Sequence, residues 1–207
     1  MDVDPLKQMM PLFYVEAQAR YRADALTSLE QITGLLKSDE GLKGQLAGEG
    51  SEERGLALVK SYEQKLEVIT QREEPLEDGR FGTSHLTKRL KELCPEDTIW
   101  AIEAVTNTLF VHDSLRPTIP GSWINCGGGG LGWSGGGALG IKLASEHEAK
   151  LKGGKGKFVV QIVGDGTFLF SVPGSVYWIA KRYGIPVLTI VLNNKGESFF
   201  LFPVLVL

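Results

Sequence analysis

Phe158-Val159-Val160-Gln161-Ile162-Val163-Gly164-Asp165-Gly166, followed after 26 intervening residues by Asn193-Asn194, is the stretch that decides the fold of this chain. The opening run is apolar enough for a buried strand and ends in an acidic tripeptide. The paired asparagines close a second such run, Val187-Leu188-Thr189-Ile190-Val191-Leu192. Between them, Val172 to Tyr183 has the length of one crossover helix, ended by Gly184-Ile185-Pro186. Strand, helix, strand predicts a parallel βαβ unit with a right-handed crossover. Both polar clusters then stand at carboxyl ends of parallel strands, the edge where open α/β sheets bind ligands.

That edge would hold one carboxylate and one carboxamide oxygen, a donor set for a hard cation. Mg²⁺ takes oxygen ligands, is held by one or two protein side chains, and fills its other positions with phosphate oxygens and water. Gly164 and Gly166, flanking Asp165, let a phosphate approach the backbone without meeting a Cβ. Thr167 can add a hydroxyl, and the start of the crossover helix adds N–H donors and a favourable dipole. The expected ligand is a diphosphate bridged to the protein by Mg²⁺.

The pattern resembles the cofactor signature of thiamine diphosphate enzymes, GDG and then NN about thirty residues on. Ile162-Val163-Gly164-Asp165-Gly166-Thr167 and Ile185-Pro186 before Val191-Leu192-Asn193-Asn194 are similar to the acetolactate synthase, pyruvate decarboxylase and benzaldehyde lyase branch. The resemblance implies thiamine diphosphate and Mg²⁺ as cofactors, with Asp165, Asn194 and the backbone carbonyl of Gly196 on the metal. It also implies a 2-oxo acid or aldehyde substrate, and a homodimer or homotetramer for the complete protein.

A second cluster, Gly127-Gly128-Gly129-Gly130-Leu131-Gly132-Trp133-Ser134-Gly135-Gly136-Gly137-Ala138-Leu139-Gly140, carries nine glycines in fourteen residues. Each glycine inside a helix costs about 0.5–1 kcal/mol relative to Ala, so several together mark backbone that must come close to something. A flexible linker would lack the bulky Leu131, Trp133, Leu139, Ile141 and Leu143. The cluster therefore predicts a packed loop opening a helix that runs to about Lys150. By resemblance, this loop and helix hold the aminopyrimidine ring. Gly129 matches the position whose carbonyl accepts from the 4′-amino group, beside Gly130, and Leu131 matches the aliphatic residue under the bent cofactor. An ordinary core position is the other reading of Leu131.

A third element, Asp97-Thr98-Ile99-Trp100-Ala101-Ile102-Glu103-Ala104-Val105-Thr106-Asn107, predicts a strand over Thr98 to Glu103 that ends in polar residues. Thr106 and Asn107 match diphosphate contacts in the resembling family, and a simple turn is the competing account. The order of strand end, glycine loop and metal motif agrees with that family's cofactor domain.

Composition bounds the partners rather than the chemistry. Of 207 residues, 43% are hydrophobic, and the net charge of −3 gives no reason to expect nucleic acid or an anionic membrane. No apolar run approaches the roughly 18 residues needed to span a bilayer. Cys94 and Cys126 lack metal-ligand spacing and predict free thiols in a reducing, cytoplasmic compartment. His85 at a helix start, His112 in a loop beside Asp113, and His147 on a charged helix face have no partner at ligand spacing and predict solvated or structural roles.

Three segments follow: residues 1–78 helical, 79–196 the cofactor domain, and 197–207 an apolar tail. Leu12, Val15, Ala19, Ala23, Leu26 and Leu29 predict a helix from Pro11 to about Leu36. Ser38 to Glu53 predicts a loop, and Leu56, Val59, Tyr62, Leu66 and Ile69 a second amphipathic helix stopped before Pro75. Thr83 or Ser84 should cap a short helix over Leu86 to Leu93. Asp2-Val3-Asp4-Pro5 resembles the close of the family's central domain, so the chain is expected to begin where that domain ends. The resemblance stops at Glu197, and Gly196-Glu197-Ser198 is what a GTGAGT splice donor encodes in one frame, so the tail is expected to be translated intron, with an apolar strand or disordered tail as the other reading.

The sequence thus predicts an α/β fold, a parallel sheet with flanking helices preceded by a mainly helical segment. It implies an enzyme, a lyase or transferase acting on C–C bonds next to a carbonyl. The alternative is a non-catalytic fragment, because the glutamate that activates N1′ in the resembling enzymes comes from an amino-terminal domain with no counterpart here.

Overall fold

A computed structural model describes residues 18–194, apart from 20, 78 and 81. The chain divides into two compact units, Met1–Gln64 and Lys65–Leu207. Gly196 and the 197–207 tail lie outside the described residues, as does the stretch from Pro11 to residue 17.

In the first unit, α1 (Ala25–Ser38) starts later than its apolar spacing predicts, because Asp24 caps it. The Asp24 carboxylate accepts from the Thr27 N–H at 2.8 Å and from the Thr27 hydroxyl at 2.9 Å. These two bonds hold the Asp24 carboxyl below its ordinary value. The expected loop from Ser38 to Glu53 is instead helical, with α2 (Glu40–Leu46) followed by the start of α3 (Glu49–Arg72). Asp39 ends α1 and also caps α2, accepting from the Leu42 N–H at 3.0 Å. That cap and the good helix formers Glu40, Leu42, Lys43 and Gln45 outweigh the glycines that suggested a loop.

The second unit is built on four parallel strands, β1 (Ile99–Glu103), β2 (Trp123–Asn125), β3 (Val159–Gly164) and β4 (Leu188–Leu192), in the order β2-β1-β3-β4. Glu103 is level with Val163, and Gly164 with Leu192. β3 is buried on both faces, as a run apolar apart from Gln161 predicts. β4 is an edge of the described sheet, with Leu188 and Val191 exposed.

Strand periodicity sorts the side chains between two faces. Trp100, Ile102, Val160 and Ile162 meet Val111 and Leu115 of α5 (Thr108–Leu115) on one face. Ala101 and Val159 meet Ala138 of α6 (Trp133–Lys152) on the other. The helix before β1, α4 (Thr83–Leu93), follows Gly82 with no side-chain cap, so neither Thr83 nor Ser84 serves as one. Both lie inside its first turn, and the Thr83 hydroxyl instead donates to Asn107 Oδ1 at 3.0 Å.

The single crossover helix expected between β3 and β4 is two helices, α7 (Asp165–Phe170) and α8 (Pro173–Tyr183). The chain turns sharply between them at Val172, which has φ 54°. His112 belongs to α5 rather than to a loop, and its ring packs edge-on against Trp123 with centroids 5.2 Å apart. The His85 Nδ1 lies 2.7 Å from the Glu73 carbonyl oxygen, a contact that ties α4 to the chain just after α3. Among the described residues no helix is long and apolar enough to cross a membrane.

Candidate functional site

The strand order of the described sheet predicts a crevice between the carboxyl ends of β1 and β3. From β1 the chain moves through α5 to β2 on one side, and from β3 through α7 and α8 to β4 on the other. The direction of winding reverses between β1 and β3, and the carboxyl ends of such a pair are where open α/β sheets bind ligands. Each sequence-predicted element arrives at this edge. Thr106 and Asn107 follow β1, the glycine loop follows β2, Asp165 follows β3, and Asn193-Asn194 follows β4.

Asp165 is half-buried and opens α7 directly after Gly164. Its Oδ1 accepts from the Gly166 N–H at 3.0 Å. The Asn pair begins directly after Leu192, the residue level with Gly164. Adjacent strands lie about 4.8 Å apart, so these two tips are neighbours. The helix start expected to assist them is α7, since α8 begins only at Pro173. Thr167, in the first turn of α7, is buried to 1% exposure.

Asn193 and Asn194 share a cavity of about 260 Å³ with Asn107, Thr83, Gly82 and Leu86. The structure therefore brings Asn107 and Asn194 to one cavity wall, while Thr106 is exposed beside them. Val105, which opens the 3₁₀ turn Val105–Asn107, has φ 42°. A β-branched residue in the left-handed region is strained by about 1–3 kcal/mol, and such outliers cluster at ligand sites.

The glycine cluster separates into two kinds of position. A Cβ at Gly127, Gly128, Gly129 or Gly130 would meet nothing within 4 Å, so this backbone stands open. At Gly132 (φ 97°) a Cβ would fall 2.6 Å from the Phe170 carbonyl oxygen, and at Gly135 it would fall 2.8 Å from the Ser171 Cβ. Close packing within the chain explains the second group. The first is exposed backbone. Leu131, between them, is half-buried and belongs to neither core cluster.

Two polar residues inside the strands escaped the sequence reading. Glu103, 3% exposed, accepts from the N–H groups of Gly132 (3.0 Å), Trp133 (3.1 Å) and Ser134 (2.6 Å) at the start of α6. Gln161, 1% exposed, donates to Ser134 Oγ at 2.8 Å. Its Oε1 accepts from the hydroxyls of Thr189 at 3.0 Å and Tyr177 at 3.4 Å. The available signal was a polar residue within an otherwise apolar strand, which burial obliges to find partners.

Among the described residues no group of three or more His, Cys, Asp or Glu could hold a metal ion. A cation at this edge would rest on one carboxylate with carboxamide and phosphate oxygens, the donor set suited to Mg²⁺. The thiols do not contribute a cluster. Cys94 and Cys126 are both free, one before β1 and the other after β2, at opposite ends of the sheet.

Residues 104–199 match the family described as "Thiamine pyrophosphate enzyme, C-terminal TPP binding domain". Among solved structures, benzoylformate decarboxylase from Polynucleobacter necessarius is similar at 24% identity with a TM-score of 0.52, over 57% of this chain and 21% of that one. A 4-hydroxybenzoylformate decarboxylase from Rhodococcus jostii RHA1 is similar at 26% identity with a TM-score of 0.48, over 58% of this chain and 21% of that one. The matched region thus spans about a fifth of the length of each solved relative.

Proposed function

We propose, from the match of residues 104–199 to the thiamine pyrophosphate enzyme C-terminal TPP-binding domain, that the β1–β3 crevice holds thiamine diphosphate through Mg²⁺. The observation that carries this reading is the pairing of β3 with β4. It puts Asp165 and Asn194 on neighbouring strand tips, with Asn107 beside the asparagines. Asp165 and Asn194 hold the cation, with Gly196 as the third protein ligand by resemblance. Gly164, Gly166, Thr167, Thr106 and Asn107 frame the diphosphate.

By resemblance, the open backbone of Gly129 and Gly130 would hold the aminopyrimidine ring, and half-buried Leu131 would lie against the cofactor. Bound thiamine diphosphate supplies carbanion stabilisation next to a carbonyl, chemistry that no side chain provides. The protein's share is binding, orientation and exclusion of water. The substrate class that fits is a 2-oxo acid or a 2-hydroxy ketone, with a C–C bond made or broken next to the carbonyl.

A second reading, cofactor binding without turnover, is favoured by one observation. Glu103 is a buried carboxylate at this edge, and three backbone N–H groups already engage it. It is therefore committed to the start of α6 rather than turned toward a ligand. Calorimetry of the chain with thiamine diphosphate, with and without Mg²⁺, tests the binding claim, and a pyruvate or benzaldehyde turnover assay separates the two readings. Mg²⁺-dependent binding that Asp165→Ala abolishes is the expected result. Binding of equal strength in that variant, or none in the parent chain, would refute the proposed ligand set.

A further inference from the structure

Helix α6 is capped from a distance. Its N-cap residue is Gly132, at φ 97° and with no side chain to offer. The acceptor comes instead from β1, where Glu103 takes three consecutive N–H groups across separations of 29, 30 and 31 residues. A local Ser or Asp cap would satisfy the same donors wherever the helix travelled. A cap built into the sheet satisfies them in one position only. The first turn of α6 is held at two further points, by Gln161 of β3 on Ser134 and by the Phe170 carbonyl against Gly132. At the preceding Gly127–Gly130, by contrast, an added Cβ would meet nothing within 4 Å.

We infer that Glu103 is a positioning residue, which fixes where the Gly127–Leu131 loop stands over the β1–β3 crevice and so where the ring end of the cofactor is held. The diphosphate end is set separately, at the tips of β3 and β4. This inference rests on the thiamine diphosphate reading and adds to it a division of labour between the two ends of the ligand.

The test uses Glu103→Gln and Glu103→Asp in the full chain. Gln keeps the size of the side chain but replaces one acceptor oxygen with an NH₂ group facing an N–H donor. Hydrogen exchange of the ligand-free chain reads the loop directly. Calorimetry then compares thiamine diphosphate with inorganic diphosphate, each with Mg²⁺. Losing a hydrogen bond to a charged group should speed exchange over residues 127–134 about tenfold or more, with β3 unchanged. By the same loss, affinity for thiamine diphosphate should fall about tenfold while affinity for inorganic diphosphate stays within about twofold. Glu103→Asp, which keeps the charge, should recover part of both effects, and it serves as the variant to measure if Gln does not fold.

Equal loss for the two ligands, or faster exchange spread evenly over the sheet, would reduce Glu103 to a folding role and overturn the inference. A parent chain that binds thiamine diphosphate normally while Glu103→Gln changes nothing would overturn it too. A parent chain that binds neither ligand refutes the cofactor reading itself, and the ring-holding role falls with it.

Discussion

A Cβ on Gly132 would stand 2.6 Å from the carbonyl oxygen of Phe170, so at this point the start of α6 and the end of α7 meet backbone to backbone. α7 opens with Asp165, and α6 follows the glycine loop. The two halves of the candidate site are therefore braced against each other. Gly132→Ala should be costly for two reasons: φ 97° strains any side chain, and backbone has no rotamer with which to yield. The strained conformation alone amounts to about 1–3 kcal/mol. Gly129→Ala, where nothing lies within 4 Å, is the comparison and should change stability by less than about 0.5 kcal/mol. Urea unfolding of both variants measures this, and equal midpoints would show that the brace does not exist.

Gln161 links three elements from within β3. Replacing it with Leu preserves the volume but strands the buried Ser134 hydroxyl and removes the acceptor for Thr189. Leaving buried polar groups unpaired costs about 1–3 kcal/mol, whereas Thr189→Val, which removes one bond, should cost about 0.5–1.5 kcal/mol. A double-mutant cycle should give a coupling of at least about 0.5 kcal/mol. Additive effects would mean that the two residues act independently.

Much of this architecture was legible because it repeats along the chain. The apolar runs before Asp165 and Asn193 marked two strands, and parallel connection then obliged both motifs to the same edge. What lacked a period was missed. β2 has three residues, too few for alternation to show, and α7 has six, too few for a helical stripe. The role of Glu103 was hidden for another reason, since its partners lie 29 to 31 residues away and no local pattern announces them. The segment after Ser38 misled because its glycines were weighed without the Asp39 cap that starts α2. At the site, composition alone marked Gly132 and Gly129 alike, the resemblance singled out Gly129, and the fold makes Gly132 a packed contact and Gly129 open backbone.

Acid should weaken the far end of α6. Glu146 lies 2.7 Å from Lys142 Nζ and accepts from the Gly156 N–H at 3.2 Å. The Lys142 hydrogen bond, with Gly156 next, holds its carboxyl below the ordinary value of 4.5. A depressed folded-state value means that this stabilisation is present above 4.5 and is lost as pH falls through the lower folded value. The midpoint of urea unfolding should therefore drop as pH is lowered from about 5. Glu146→Gln should flatten that dependence. A variant as acid-sensitive as the parent would assign the loss to other carboxylates.

Leu131 and Ile102 provide a final contrast, because both are large aliphatic residues of one domain with opposite expected costs. Ile102 is 1% exposed in the main core cluster, so Ile102→Ala should cost about 2–5 kcal/mol through lost burial and the cavity left behind. Leu131 is half-buried and belongs to neither cluster. Leu131→Ala should therefore cost less than about 1.5 kcal/mol, the smaller share that follows from half-burial. If Leu131 serves the ligand, its truncation should appear in binding instead. Affinity for thiamine diphosphate with Mg²⁺ should fall about tenfold, equivalent to roughly 1.4 kcal/mol, while inorganic diphosphate binds as before. A stability loss as large as that of Ile102→Ala, with thiamine diphosphate binding unchanged, would return Leu131 to the core and leave the cofactor's bend without its support.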